Sequence, residues 1–167
     1  MDIVEKARIF ATAAHAAVGQ LRKYTGEPYI VHPAEVVSIV KTVPHTDEML
    51  AAAWLHDVVE DTDVTLSTIS IEFGMEVASI VEWLTDVSKP IDGNRAVRKA
   101  MDREHTARAP AAAQTVKLAD LISNTSSIMK HDEKFAKTYL EEKRMLLEVM
   151  TKGDRFLHAR ASGIIGD

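Results

Sequence analysis

Four residues within six positions, His56, Asp57, Glu60 and Asp61, set one imidazole beside three carboxylates at the end of the apolar run from Ala51 to Leu55. Carboxylates this close repel one another unless something positive sits among them. Adjacent His and Asp can both reach one cation from a helix end, and Glu60 and Asp61 come round one turn later on the same side. The cluster therefore offers two ligands and two groups able to act beside them.

Two further residues fit such a site. His32 precedes Pro33, which suits the first position of a helix and would hold the imidazole at that helix's entry. Asp120 stands in Val116-Lys117-Leu118-Ala119-Asp120-Leu121-Ile122, apolar at nearly every helical angle. Such a helix is buried, an unpaired carboxylate on it is costly, and a metal ion removes the cost. Two His nitrogens and two Asp oxygens without a thiolate suit Mn, Fe, Co or Zn in an open catalytic site better than a closed structural zinc. A lone His or Asp is more often a satisfied core residue or a cap. The other histidines, His15, His45, His105, His131 and His158, lack a carboxylate cluster, and most are expected at the surface.

The elements that must carry these residues read as helix after helix. Asp2 can cap a first helix with Glu5 three residues on and Ile3, Ala7, Phe10, Ala14 and Ala17 as its buried face. Gly19 and Gly26-Glu27-Pro28 interrupt it before a second helix from Ala34 to Lys41. Thr46 caps a third, with Asp47 and Glu48 in its first turn; Thr65 caps a short one ending at Gly74; and Met75 to Val87 form the next. After a loop at Pro90 to Gly93, Asn94 caps a polar helix, Pro110 opens the Asp120 helix, and Phe135, Tyr139, Leu146 and Met150 mark a last long helix closed by Gly153. No run of alternating β-branched residues, repeat or interdomain linker is present, so the chain is expected to be all-α.

Of 167 residues, 46% are apolar, enough for one good core and hence one expected domain. The net charge of −5 argues against binding a nucleic acid polymer, so an anionic partner needs a local basic patch. Arg22-Lys23, on the loop before His32, is one such patch. Arg95, Arg98 and Lys99, with Arg103 nearby, form a second whose helical spacing presents several donors to a polyphosphate or, more blandly, to solvent. The absence of Cys excludes disulfides and fits a cytoplasmic setting. No h-region or long apolar stretch suggests secretion or a membrane.

The ordered set His32, His56-Asp57 and Asp120 is similar to the H…HD…D signature of HD metal-dependent phosphohydrolases. The strings Arg22-Lys23-Tyr24-Thr25-Gly26-Glu27-Pro28-Tyr29-Ile30-Val31-His32-Pro33, Leu55-His56-Asp57-Val58-Val59-Glu60-Asp61-Thr62 and Val116-Lys117-Leu118-Ala119-Asp120, with Asn124, resemble the hydrolase domain of RelA/SpoT proteins and the small alarmone hydrolases. The likeness runs from about Ala13 to about Tyr139. It implies a single-domain HD-fold helical bundle over residues 1–153, followed by a tail, 154–167, that is helical or frayed.

The resemblance further implies a divalent metal, Mn2+ in the family, on His32, His56, Asp57 and Asp120, with Glu60 and Asp61 orienting water and handling its proton. Arg22, Lys23, Arg95, Arg98, Lys99, Asn124 and Tyr139 are the implied contacts to a phosphorylated nucleotide. The implied reaction is removal of the 3′-diphosphate of guanosine tetra- or pentaphosphate. Leu121, where relatives commonly carry a basic residue, and Thr125, where they carry a bulkier apolar one, leave an adenine alarmone, a deoxynucleoside triphosphate or NADPH open as substrate. A non-catalytic nucleotide-binding module is the third reading, and the Glu60-Asp61 pair speaks against it. The oligomeric state is left open by the sequence.

Overall fold

Asp2 accepts a hydrogen bond from the Glu5 amide and starts helix α1, Ile3–Ala17. The side chains of Thr46, Thr65 and Asn94 do the same for α3 (Asp47–Leu55), α5 (Leu66–Phe73) and α7 (Arg95–Arg108). The remaining helices are α2 (Val31–Val40), α4 (Val58–Asp61), α6 (Met75–Leu84), α8 (Ala111–His131), α9 (Glu133–Val149) and α10 (Arg155–Ile165), with a 3-10 turn at Pro90–Asp92. This computed structural model describes residues 1–166, and the last residue of the expected tail, Asp167, lies outside them. The architecture is all-α; an isolated bridge between Leu21 and Pro28 is the extended pairing found among the described residues. No helix of the described residues is long and apolar enough to cross a membrane.

The chain divides into two compact units, Met1–Thr85 and the part from Asp86 on. In the first, α3 packs against α1, α2 and α6, and α5 against α6. Ala51, Ala52 and Ala53 are fully buried, and small side chains there let neighbouring backbones close in around the helix that leads to His56. In the second, α8 packs against α9 and α10, and α9 against α7. Gln114 of α8, fully buried, donates to Thr106 O and accepts from the Lys152 and Gly153 amides, which pins the α9–α10 turn. A Cβ at Gly153 would meet Leu118 Cδ1 at 2.6 Å, so glycine is required by close approach.

Two boundaries differ from the sequence expectation. Helix α2 begins at Val31, ahead of Pro33, because the amides of the first turn need no helical partner and proline is tolerated throughout it. Helix α6 ends at Leu84: Thr85 turns extended and its hydroxyl bonds back to Val81 O, so the chain has left the helix before Val87. The tail is a helix, α10, capped by Asp154 and burying Leu157, Ala161 and Ile165.

Candidate functional site

The helical run through Leu55 stops at His56, Asp57 precedes the short helix α4, and the break between them turns both side chains the same way. His56 is buried, and its Nδ1–H donates to Ala53 O at 2.7 Å. That bond fixes the tautomer and leaves the Nε2 lone pair for another partner. Nε2 lies 3.1 Å from Asp57 Oδ2, and Nε2 of the buried His32 lies 3.7 Å from the same oxygen. The two imidazole rings meet edge to face at 5.2 Å. One ligand atom each from His32, His56 and Asp57 falls within 4.8 Å of the others, a spacing and N/N/O chemistry that fit a divalent ion. His32 thus sits inside the first turn of α2, and the turn bonds Val31 N to Pro28 O and His32 N to Tyr29 O aim it.

Residues outside the predicted set hold these ligands. Tyr29 Oη donates to Asp57 Oδ2 at 2.5 Å, orienting that carboxylate. Gln20 Nε2 donates to Asp61 Oδ2 at 3.1 Å, and Gln20 Oε1 faces His15 Nδ1 at 2.9 Å. His15 is 2% exposed, contrary to the surface expectation, because the buried stripe of α1 runs Ala7, Ala11, His15 at four-residue intervals. The polar residues of the loop before His32 were visible in the sequence. No local periodicity could link them to carboxylates 28 and 41 positions away.

Glu60 and Asp61 lie on α4 at the solvent edge. Partial desolvation, then the neighbouring Asp57 carboxylate, raises the Asp61 pKa above the usual aspartate value; the Gln20 hydrogen bond and the nearby His15 and His56 pull the other way. A carboxylate of raised basicity suits proton acceptance near neutral pH. Arg22 and Lys23 ride on a loop closed by Arg22 N to Glu27 O and Gly26 N to Arg22 O. Gly26, at φ +71, allows that closure, and the Arg22 guanidinium stands 6.0 Å from the centre of the Tyr29 ring.

In the second unit, Asp120 is buried, as its flanks implied. Its carboxylate is not solitary: Oδ1 accepts from Asn124 Nδ2 at 3.0 Å, and Oδ2 lies 3.4 Å from Lys117 Nζ. Both partners are one turn away on α8 and offset part of the burial cost. Arg95 pairs with Glu142 at 3.1 Å and covers the Phe135 ring at 5.1 Å. Arg95, Lys99 and Arg103 line a cavity of about 370 Å³ with Thr138 and Met145. Arg98 is not among its lining residues, and its Nε is buried without a partner. Lys99 and Arg103 also line a smaller cavity of about 60 Å³ with Lys117 and Lys143. There desolvation, reinforced by Lys117 and Lys99, brings the Lys143 pKa down to about 8. Tyr139 is buried, its pKa raised chiefly by that burial, and its ring carries the Lys143 ammonium at 5.0 Å.

A family model described as HD domain matches residues 7–145. A protein of Synechocystis sp. described as a probable guanosine-3′,5′-bis(diphosphate) 3′-pyrophosphohydrolase is 44% identical over 87 residues, covering 52% of this chain and 11% of that protein. A probable GTP pyrophosphokinase of Mycobacterium leprae is 37% identical over 125 residues, covering 74% of this chain and 16% of that protein. The chain therefore spans a small fraction of the length of these curated relatives. A solved structure described as a metazoan ortholog of SpoT that hydrolyzes ppGpp superposes with a TM-score of 0.87 at 24% identity, covering 98% of this chain and 94% of that one, a likeness of fold.

Proposed function

This chain belongs to the HD-domain family, and from that premise we propose that it is a metal-dependent 3′-pyrophosphohydrolase of guanosine tetra- and pentaphosphate, working in the cytoplasm. The observation that carries the reading is the tautomer-locked His56 with its Nε2, His32 Nε2 and Asp57 Oδ2 gathered at one point, one helical turn from two further carboxylates. His32, His56 and Asp57 would hold the ion with Asp120 as the fourth ligand, and Mn2+ is the metal we assign. Such an ion supplies Lewis-acid polarisation of a phosphoryl oxygen and makes water acidic enough to attack near neutral pH.

Glu60 and Asp61 do the rest of the proton work. Glu60 orients the water, and Asp61, its basicity raised, takes the proton as the water oxygen bonds to the phosphorus attached to the 3′ oxygen. That P–O bond breaks, the 3′ oxygen recovers a proton, and pyrophosphate leaves GDP or GTP behind. Arg22 and Lys23 bind the nucleotide, and Arg95, Arg98 and Lys99 supply positive charge for its phosphates, with Asn124 and Tyr139 completing the contacts. Residues 1–153 serve this chemistry as one functional domain.

The test is a Mn2+-supplemented assay comparing guanosine tetraphosphate with its adenine analogue, deoxynucleoside triphosphates and NADPH. Pyrophosphate should be released from guanosine tetraphosphate, with activity lost on exhaustive chelation and restored by Mn2+. Undiminished turnover after chelation sinks the metal reading, and a preference for another nucleotide sinks the substrate assignment.

A further inference from the structure

The loop between α1 and α2 ties a buried histidine to a proposed proton acceptor through one glutamine. An ionised Asp61 carboxylate only accepts hydrogen bonds, so the Gln20 group 3.1 Å from Asp61 Oδ2 is its NH2, and its carbonyl oxygen faces His15. His15 must then carry its proton on Nδ1 to make the 2.9 Å bond to Gln20 Oε1. The other ring nitrogen, Nε2, is buried and meets no hydrogen-bond partner in the fold. The direction of every hydrogen bond in the chain His15–Gln20–Asp61 is thereby fixed.

Gln20 is held at its backbone as well. Its amide donates to His15 O at 3.2 Å, its carbonyl accepts from Tyr29 N at 3.2 Å, and Gly19, at φ +66, makes the turn that brings it out of α1. The Tyr29 ring lies tilted against that of His15, centroids 4.7 Å apart, and its hydroxyl donates to Asp57. A single segment, residues 15–29, thus grips Asp57 on one side and Asp61 on the other. Asp61 ends a four-residue helix, a short support for a group that must meet one water proton.

Resting on the proposed hydrolase reading, we infer that Gln20 and His15 are positioning residues: Gln20 pins Asp61 Oδ2 so that Oδ1 is presented to water, and the His15 Nδ1–H holds the Gln20 amide in the one orientation that can do this. Neither residue touches substrate.

Gln20→Leu should lower kcat about ten- to a hundredfold, the scale of losing an outer hydrogen-bond partner, with KM, bound metal and Tm near wild type. The near-isosteric Gln20→Glu, which packs alike but cannot donate to Asp61 when ionised, should fare no better. Asn places its amide where imidazole Nδ1 lies, whereas Gln places it nearer Nε2. His15→Asn should therefore recover most of the kcat that His15→Leu loses, and His15→Gln should not. Independently of turnover, long-range nitrogen–proton NMR should find His15 as the Nδ1–H tautomer in the wild type and no longer fixed so in Gln20→Leu. A wild-type Nε2–H tautomer, wild-type kcat in Gln20→Glu, or equal behaviour of the two His15 amides would overturn the inference. Absence of any nucleotide hydrolysis by the wild type would refute the hydrolase reading instead, while the tautomer still reports on the hydrogen-bond chain.

Discussion

Glu60 and Asp61 are assigned to water and not to the ion, and this separates two effects that a single alanine would confuse. The double variant Glu60→Gln, Asp61→Asn should retain bound metal while losing at least about a hundredfold in turnover, the usual scale for general acid–base help. Metal analysis beside kcat checks it, and near-normal turnover would move the proton chemistry elsewhere. Lys143 gives a pH prediction. Its folded pKa of about 8 lies below the ordinary 10.5, so protonation opposes folding below pH 8, and stability rises as the pH climbs from there towards 10.5. Lys143→Met should therefore raise the urea midpoint at pH 7 and lose that advantage by pH 10.5; a gain independent of pH would contradict the assignment. At this scale His56-Asp57 was legible because both residues belong to one short string, and buried Asp120 because its flanks are apolar. His15, Gln20 and Tyr29 were not, since their partners are chosen by tertiary packing.

Helices were legible where a side chain announces them. Asp2, Thr46, Thr65 and Asn94 each cap the helix expected of them, because the bond spans three residues and needs no tertiary context. Helix ends set by the surrounding fold, at Val31 and Leu84, were displaced from the expectation. The α9–α10 turn depends on one buried side chain. Gln114→Leu would strand the Lys152 and Gly153 amides and leave the Thr106 carbonyl with the Ala109 amide alone. It should cost about 2–4 kcal/mol, since each buried unsatisfied group is worth roughly 1–3 kcal/mol and some relaxation is available. Urea unfolding at fixed metal concentration checks it, and a loss below about 1 kcal/mol would mean the turn is held by other contacts.

For the whole molecule, the proposed ion adds a stability that chelation removes. An ion at a hundred times its Kd adds about 2.7 kcal/mol, and at roughly 2–4 °C per kcal/mol chelation should lower Tm by roughly 5–10 °C. An unchanged Tm after verified metal removal would argue against a metal held in the folded state. The division into units also has an optical consequence. Both tryptophans, Trp54 and Trp83, fall in Met1–Thr85, so tryptophan emission reports mainly on that unit, whereas far-UV ellipticity sums the helices of both. If the units unfold as one the two signals share a midpoint, and if they unfold separately the midpoints part. Coincident curves would mean that the units unfold together. The placement of two indoles thus makes emission and ellipticity, recorded on one sample, a gauge of whether the units share a single unfolding event.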